Sequence, residues 1–164
     1  MNVRIATVED VETVGGLIDE ASAWLGGLGL EQWPRPFPRE QLAEAVARGE
    51  LFLAEVGDDL VATVTVLADD PMYWGERPPD ALYVHKLVVR RDRAGRGLGA
   101  DLVAWVDARA VETGRRFLRL DCLRDDPGIR AYYERLGFEH RGDFDDTLRG
   151  LQLSLYERPV RRAG

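Results

Sequence analysis

The chain of 164 residues has one cysteine and one lysine. A lone Cys122 excludes an internal disulfide and suits a reducing compartment. Two histidines and one cysteine leave no cluster with metal-ligand spacing, so no metal is expected. No apolar run approaches the roughly 18 residues of a membrane span. The opening MNVRIATVED brings acids at once and no apolar run behind them, unlike a signal peptide. These absences lead to the expectation of a cytoplasmic protein with no membrane partner. The sequence contains no Gly-Lys-Ser/Thr, which excludes a P-loop. An excess of basic residues is also missing. The net charge is −7 and the pI about 4.9, against a general nucleic-acid binder and compatible with a small cationic partner such as an amine. Apolar residues at 45% and charged residues at 31% fit a globular chain of one domain, 1–164.

What the sequence does have is concentrated between Leu82 and Ala100. A β-branched apolar run, Leu82 to Val89, has strand length. An arginine-rich turn, Arg90 to Ala94, follows it. Gly95, Gly97 and Gly99 come next at spacing two. Leu98, Leu102, Val106 and Ala110 then recur every four residues, as on one face of a helix. The first N–H groups of a helix lack partners within it, and glycines let an anion come close to them. Strand, glycine turn and helix start together predict a cradle for a pyrophosphate, with Arg91, Arg93 and Arg96 adding positive charge.

Two pyrophosphates suit such a cradle. Gly95, Gly97 and Ala100 fit the GxGxxA form of the dinucleotide fingerprint, and Asp121 stands near the place of its ribose-binding acid. A nicotinamide-dependent oxidoreductase is therefore one reading. Against it, five residues separate the strand from the glycines, and too little chain follows to complete a doubly wound sheet. The stretch also resembles the coenzyme A signature of the GNAT acetyltransferase superfamily, Gln/Arg-x-x-Gly-x-Gly/Ala after a strand that ends in an apolar triplet. Gly97 and Gly99 match its small residues and Leu87, Val88 and Val89 its triplet, while Ala94 departs from Gln/Arg. A second signature of that family, Tyr-x-x-x-Gly-Phe, is matched by Tyr133, Gly137 and Phe138.

The rest of the chain reads as follows. Val3 to Thr7 is a first strand. Thr7 or Asp10 caps a helix over about Val11 to Leu25, with Val11, Val14, Leu17, Ile18 and Ala21 on one face. Gly26 to Pro38 is too rich in glycine and proline to be helical throughout. A second helix, about Arg39 to Arg48, stops at Gly49. Leu51 to Val56 and Leu60 to Leu67 are strands joined by the turn Gly57-Asp58-Asp59. Asp69 to Asp80 is a loop expected to expose Tyr73 and Trp74. Phe117 to Cys122 is a strand. Asp126-Pro127 opens a helix with an acidic cap and proline at its first position. Phe138 to Phe144 and Leu151 to Tyr156 are antiparallel strands, and a basic tail, 158–164, is expected to fray. This order, β-α-α-β-β-β-α-β-α-β-β, is an α/β (α+β) arrangement. By resemblance it implies the GNAT acyl-CoA N-acyltransferase fold, a mixed, mostly antiparallel sheet of about seven strands flanked by about four helices.

The resemblance implies acetyl transfer from acetyl-CoA to a primary amine of a small molecule or peptide, without a covalent enzyme intermediate, in a chain that often dimerises. It implies that Tyr133 is the acid for the leaving thiolate. It implies that Leu87, Val88 and Val89 pair through their backbone with the pantetheine arm. Ala94, Gly95, Arg96, Gly97, Leu98, Gly99 and Ala100 would hold the pyrophosphate. Asp126 stands where relatives often have an asparagine contacting that arm, and it also suits a helix cap. A family member without turnover, acting as a sensor or assembly module, is the second alternative. For the base, His85 lies two residues before Leu87, which in a regular strand puts both side chains on one face. Some relatives carry a histidine there, and imidazole suits proton relay near neutral pH. Glu31 or Glu76 acting through water are other candidates, while His140 and Cys122 read as structural. Trp24, Trp33, Tyr73 and Trp74, in or beside glycine/proline loops, are candidates for an aromatic acceptor pocket.

Overall fold

A computed structural model describes all residues, Met1–Gly164. The elements in order are β1 (Asn2–Ile5), α1 (Val11–Gly27), α2 (Arg39–Ala47), β2 (Leu51–Val56), β3 (Asp59–Leu67), α3 (Pro71–Trp74), β4 (Ala81–Val89), α4 (Leu98–Glu112), β5 (Phe117–Leu123), α5 (Pro127–Arg135), β6 (Glu139–Asp146) and β7 (Leu151–Pro159). Short 3₁₀ turns, Val8–Asp10 and Arg91–Arg93, precede α1 and α4. The seven strands form one mixed sheet in the order β1-β2-β3-β4-β5-β7-β6. Beyond the expected order there is one extra element, the single-turn helix α3. The residues group into two compact units, 1–66 with 86–103 and 67–85 with 104–164, and β4 and α4 each contribute to both.

In the first unit, β1, β2 and β3 are antiparallel neighbours, and α1 packs with α2. The expected apolar face of α1 supplies the core: Val14, Leu17 and Ile18 are buried with Leu42 of α2, Leu53 of β2 and Val88 of β4. Asp10 does most at the entry to α1. Its carboxylate accepts from both Nη atoms of Arg4 at 2.9 Å and from the Thr7 backbone N–H at 2.7 Å. The Arg4 hydrogen bonds above all, then those from Thr7, hold the Asp10 carboxyl down at about 2 against an ordinary 3.8. A depressed carboxyl stabilises the fold above its unfolded value and loses that effect as the pH falls through the folded one. Stability is therefore expected to be full above pH 3.8 and to fade toward pH 2, and Asp10→Asn should flatten that part of a thermal-midpoint-versus-pH curve.

The segment between α1 and α2 is tied down by Asp19. Its Oδ1 accepts from the Phe37 N–H at 2.8 Å and its Oδ2 from Arg39 at 3.0 Å. The Arg39 guanidinium fills the space over Gly15, where any Cβ would collide with it. Phe37 is consequently buried, and Trp33 packs on the same core.

In the second unit, β4 runs parallel to β5 over Ala81–Val84, and β5, β7 and β6 are antiparallel in turn. Arg119 of β5 is its buried polar hub. It donates to Glu157 at 2.7 Å and to the Tyr83 hydroxyl at 2.9 Å, with its guanidinium 5.4 Å from the Trp74 ring centroid. The tail expected to fray from Arg158 begins later. Arg158 and Pro159 close β7, and the Val160 N–H donates to Arg116 O at 2.9 Å.

Candidate active site

The glycine turn lies in the first unit. After Arg90 the chain makes the 3₁₀ turn, Ala94 is extended, and Gly95 and Gly97 adopt φ of 76° and 79°. Side chains rarely take this left-handed conformation, so both glycines are used for their backbone freedom. The Asp101 N–H donates to Gly97 O at 3.0 Å, which makes Gly97 the cap of α4. The amides of Leu98, Gly99 and Ala100 therefore open the helix without helical partners, at the positive end of its dipole. A Cβ placed on Gly95 or Gly97 would meet nothing within 4 Å, so the turn presents open space. Such a turn can take an anion on its backbone.

The arginines do not all serve that anion. Arg93 is paired with Asp59 at 2.6 Å, and Arg90 with Asp92 at 2.6 Å. Arg91 stacks 3.8 Å over the Trp24 ring, while its backbone N–H donates to Glu20 at 2.8 Å. Arg96 is exposed and has no ion pair. Of the three expected charges, one is neutralised, one is stacked and one stands open. Trp24, at 46% exposure, is thus a platform for Arg91. Val88 is buried in the core, and Leu87 and Val89 are half-buried.

One expectation about β4 fails at Lys86. Its φ of 49° breaks the regular alternation of the strand, so His85 and Leu87 cannot be assigned to one face by counting. The Lys86 ammonium lies 5.6 Å from the Phe37 ring centroid.

In the second unit His85 is held by two acids from distant segments. Its Nε2 stands 2.9 Å from Asp70 Oδ2 and its Nδ1 3.5 Å from Asp121 Oδ1. The three side chains are only 10–15% exposed. They offer one ligand atom each within 4.8 Å of one another, a grouping that spacing in the sequence could not reveal. The same contacts hold the imidazole between two carboxylates, one at each ring nitrogen. Glu31 and Glu76 are exposed.

Tyr133, on α5, is buried, with edge contacts to Tyr132 at 5.3 Å and Phe138 at 5.8 Å. Burial pushes its phenol well above the ordinary range, with the neighbouring Cys122 a second cause. Cys122 is itself buried, and its thiol is pushed up to about 12 by burial. Asp126 caps α5: its Oδ1 accepts from the Ile129 N–H at 3.1 Å, and Pro127 takes the first helical position. His140 contacts Asp143 at 2.8 Å on β6.

Tyr73 and Trp74 are not exposed as expected; both are buried. Tyr73 donates to Asp146 at 2.8 Å and packs on Phe144, and Trp74 packs edge-on against Tyr83. Turn chemistry marks the segment as a loop, but burying two large aromatic rings outweighs the exposure that proline and glycine suggest.

Comparison with known proteins sets the class: this is an acetyltransferase. The sequence profile of the acetyltransferase (GNAT) family matches residues 18–138. The chain belongs to that family. It is 29% identical over 145 residues to a Bacillus subtilis protein named uncharacterized N-acetyltransferase YesJ, covering 84% of this chain and 81% of that one. Among solved structures, a GNAT-family acetyltransferase from Listeria monocytogenes superposes with a TM-score of 0.80 at 24% identity, covering 97% of this chain and 94% of the other. The yncA protein of Salmonella typhimurium, solved with its cofactor acetyl-CoA, superposes with a TM-score of 0.72 at 13% identity, covering 100% and 96%.

Proposed function

We propose that the protein transfers an acetyl group from acetyl-CoA to a primary amine by direct attack on the thioester. The observation that carries this reading is the glycine turn: Gly97 in the left-handed region caps α4, the three amides after it open the helix without helical partners, and the Cβ positions of Gly95 and Gly97 are open. These amides, with Arg96 beside them, would hold the pyrophosphate. That a structural neighbour, yncA, was solved with acetyl-CoA supports the same coenzyme here. Backbone groups of Leu87, Val88 and Val89 would pair with the pantetheine arm and supply the oxyanion donor. Asp126 is taken up in capping α5, so its part in the coenzyme site is that of holding the helix that carries Tyr133. Trp24, near the end of α1, and Trp33, in the segment after it, are the aromatic residues that remain for an acceptor pocket; Tyr73 and Trp74 are packed away.

The amine must first lose its proton, and His85 is the base. The nitrogen then attacks the carbonyl carbon, the C–N bond forms, the C–S bond breaks, the coenzyme leaves as thiolate and the new amide nitrogen gives its second proton to solvent. Tyr133 meets that thiolate. An ordinary phenol, near 10, is a weaker acid than an ordinary thiol, near 8.5. Burial weakens Tyr133 further. Its role is therefore to donate a hydrogen bond to the thiolate rather than to surrender its proton. Tyr133→Phe is expected to lower kcat about 10²-fold, as loss of one aimed donor does. Acetyl-CoA affinity by calorimetry should stay within about twofold, since the ring and its packing remain. Unchanged kcat would remove Tyr133 from the mechanism. The reading as a whole is tested by thiol release with acetyl-CoA and an amine panel: a polyamine, an aminoglycoside, a free amino acid, a peptide with a free N-terminus and a lysine-bearing peptide. Release above background with one class supports it; binding of the coenzyme with no release on any of them overturns it.

A further inference from the structure

We propose that Asp70 and Asp121 are positioning residues that set the proton arrangement His85 needs as a base. The inference rests on the reading of His85 as that base. A carboxylate accepts hydrogen bonds and does not donate them. Asp70 Oδ2, at 2.9 Å from Nε2, therefore requires the ring proton to be on Nε2. In the neutral ring the lone pair is then on Nδ1. Nδ1 stands 3.5 Å from Asp121 Oδ1, outside the range of about 2.7–3.2 Å for an N–H···O hydrogen bond. Lone pair and carboxylate oxygen thus face each other with no proton between them. This is the resting state of a base, with the partner for its conjugate acid already in place.

The proton moves as follows. The acceptor ammonium gives up one N–H proton, directly or through one water, and its electron pair stays on the amine nitrogen. The Nδ1 lone pair takes that proton. The ring becomes an imidazolium with Nε2–H on Asp70 and Nδ1–H toward Asp121, and a slight approach turns the second contact into a charge-assisted hydrogen bond. After acetyl transfer the proton passes to solvent. Asp121 Oδ1 is shielded from solvent, so its charge acts on the ring at low dielectric and is little screened. Asp121 also acts on Tyr73 of α3, Cys122 beside it on β5 and Tyr133 of α5. Burial raises all three, so each is neutral near pH 7. Asp146, further out on β6, is occupied by Tyr73 and by Arg149 at 2.9 Å. Two carboxylates stand against the ring, at 2.9 and 3.5 Å. Neither acid is near His85 in the sequence: Asp70 precedes it by 15 residues in a loop, and Asp121 matched only a ribose-binding acid.

The chain has two histidines, so nitrogen-15 spectra of the imidazoles read His85 directly, with His140 as internal reference. The wild-type protein is expected to show the neutral His85 ring as the Nε2–H tautomer, and Asp70→Asn to show a mixture, with His140 unchanged. Thiol release on the best acceptor of the panel should show Asp70→Asn and Asp121→Asn lowering kcat about 10²-fold and 10-fold, within the range for acid–base catalysis, with acetyl-CoA KM within twofold. Asp70→Glu should recover part of the kcat loss. The acid limb of the wild-type pH–rate profile should be absent in His85→Gln. A His85 found as the Nδ1–H tautomer, or an Asp70→Asn that keeps kcat within twofold while only its melting point falls, overturns the proposal. If the wild-type protein turns over no amine, the proposed function fails, and the tautomer spectra still decide whether the clamp exists.

Discussion

Gly97→Val is expected to weaken acetyl-CoA binding at least tenfold and to lower stability by roughly 1–3 kcal/mol, the usual cost of a non-glycine residue in the left-handed region. Two effects combine, and a control separates them. At φ of 79° a β-branched residue strains the backbone whether or not the coenzyme is present. That strain shows as a lower unfolding midpoint. Nothing lies within 4 Å of the Cβ position, so no clash in the free protein adds to it. On the proposed reading a pyrophosphate approaches the amides of Leu98, Gly99 and Ala100 through the same open space, and a valine there would hold it off. Gly57, at φ of 62° in the β2–β3 turn, is equally open and lies outside the proposed coenzyme site. Gly57→Val should lose comparable stability and keep its affinity. Calorimetry with acetyl-CoA on the two variants reads the difference, and an unchanged affinity in Gly97→Val would show that the pyrophosphate lies elsewhere.

What can be read ahead of the structure divides by range. Signals that act within one turn of helix or strand are legible. The acidic cap and N1 proline of α5, the spacing of Val14, Leu17 and Ile18, and the stop at Gly49 all rest on contacts a few residues apart, which the pattern encodes directly. The glycine turn is legible for the same reason. Misses come where a partner lies far along the chain. Arg93 reads as free for a phosphate because Asp59, 34 residues earlier, is invisible to local reading. Tyr73 reads as exposed because its anchor, Asp146, lies 73 residues on. The parity of His85 and Leu87 fails at a single residue, Lys86, whose left-handed φ leaves no mark on an apolar alternation. The candidate site is therefore half legible. The conformation of the glycine turn can be read, but not the acids around the imidazole, which only the fold brings together.

Asp107→Ala is expected to destabilise the protein by about 3–5 kcal/mol, the range for breaking a buried ion pair by removing one partner. The pair is well made. Arg158 donates from Nη1 and Nη2 to the two oxygens of Asp107, each at 2.8 Å, and the Arg161 N–H adds a third bond at 3.1 Å. The side chains are 4% and 6% exposed. Arg4 and Asp10 form a similar fork, but Arg4 is 38% exposed, and water and salt screen it. With Asp107 gone, the Arg158 guanidinium is left buried as an unmatched charge. Its remaining partners are neutral: the Pro159 carbonyl at 3.1 Å and the Phe138 ring centroid at 4.8 Å. Water cannot compensate without opening the packing around it. At about 2–4 °C per kcal/mol for a chain of this size, the melting point should fall by roughly 10 °C. The pair itself need not be a net gain, because its formation strips both charges of water. Asp107→Leu with Arg158→Met, which removes both charges and keeps the volume, should therefore recover most of the loss. Urea unfolding of the wild type, the single variant and the double variant measures both differences. A single variant within about 1 kcal/mol of wild type, the typical effect of an ordinary substitution, or a double variant no better than the single, would show that this pair does not carry the stability assigned to it.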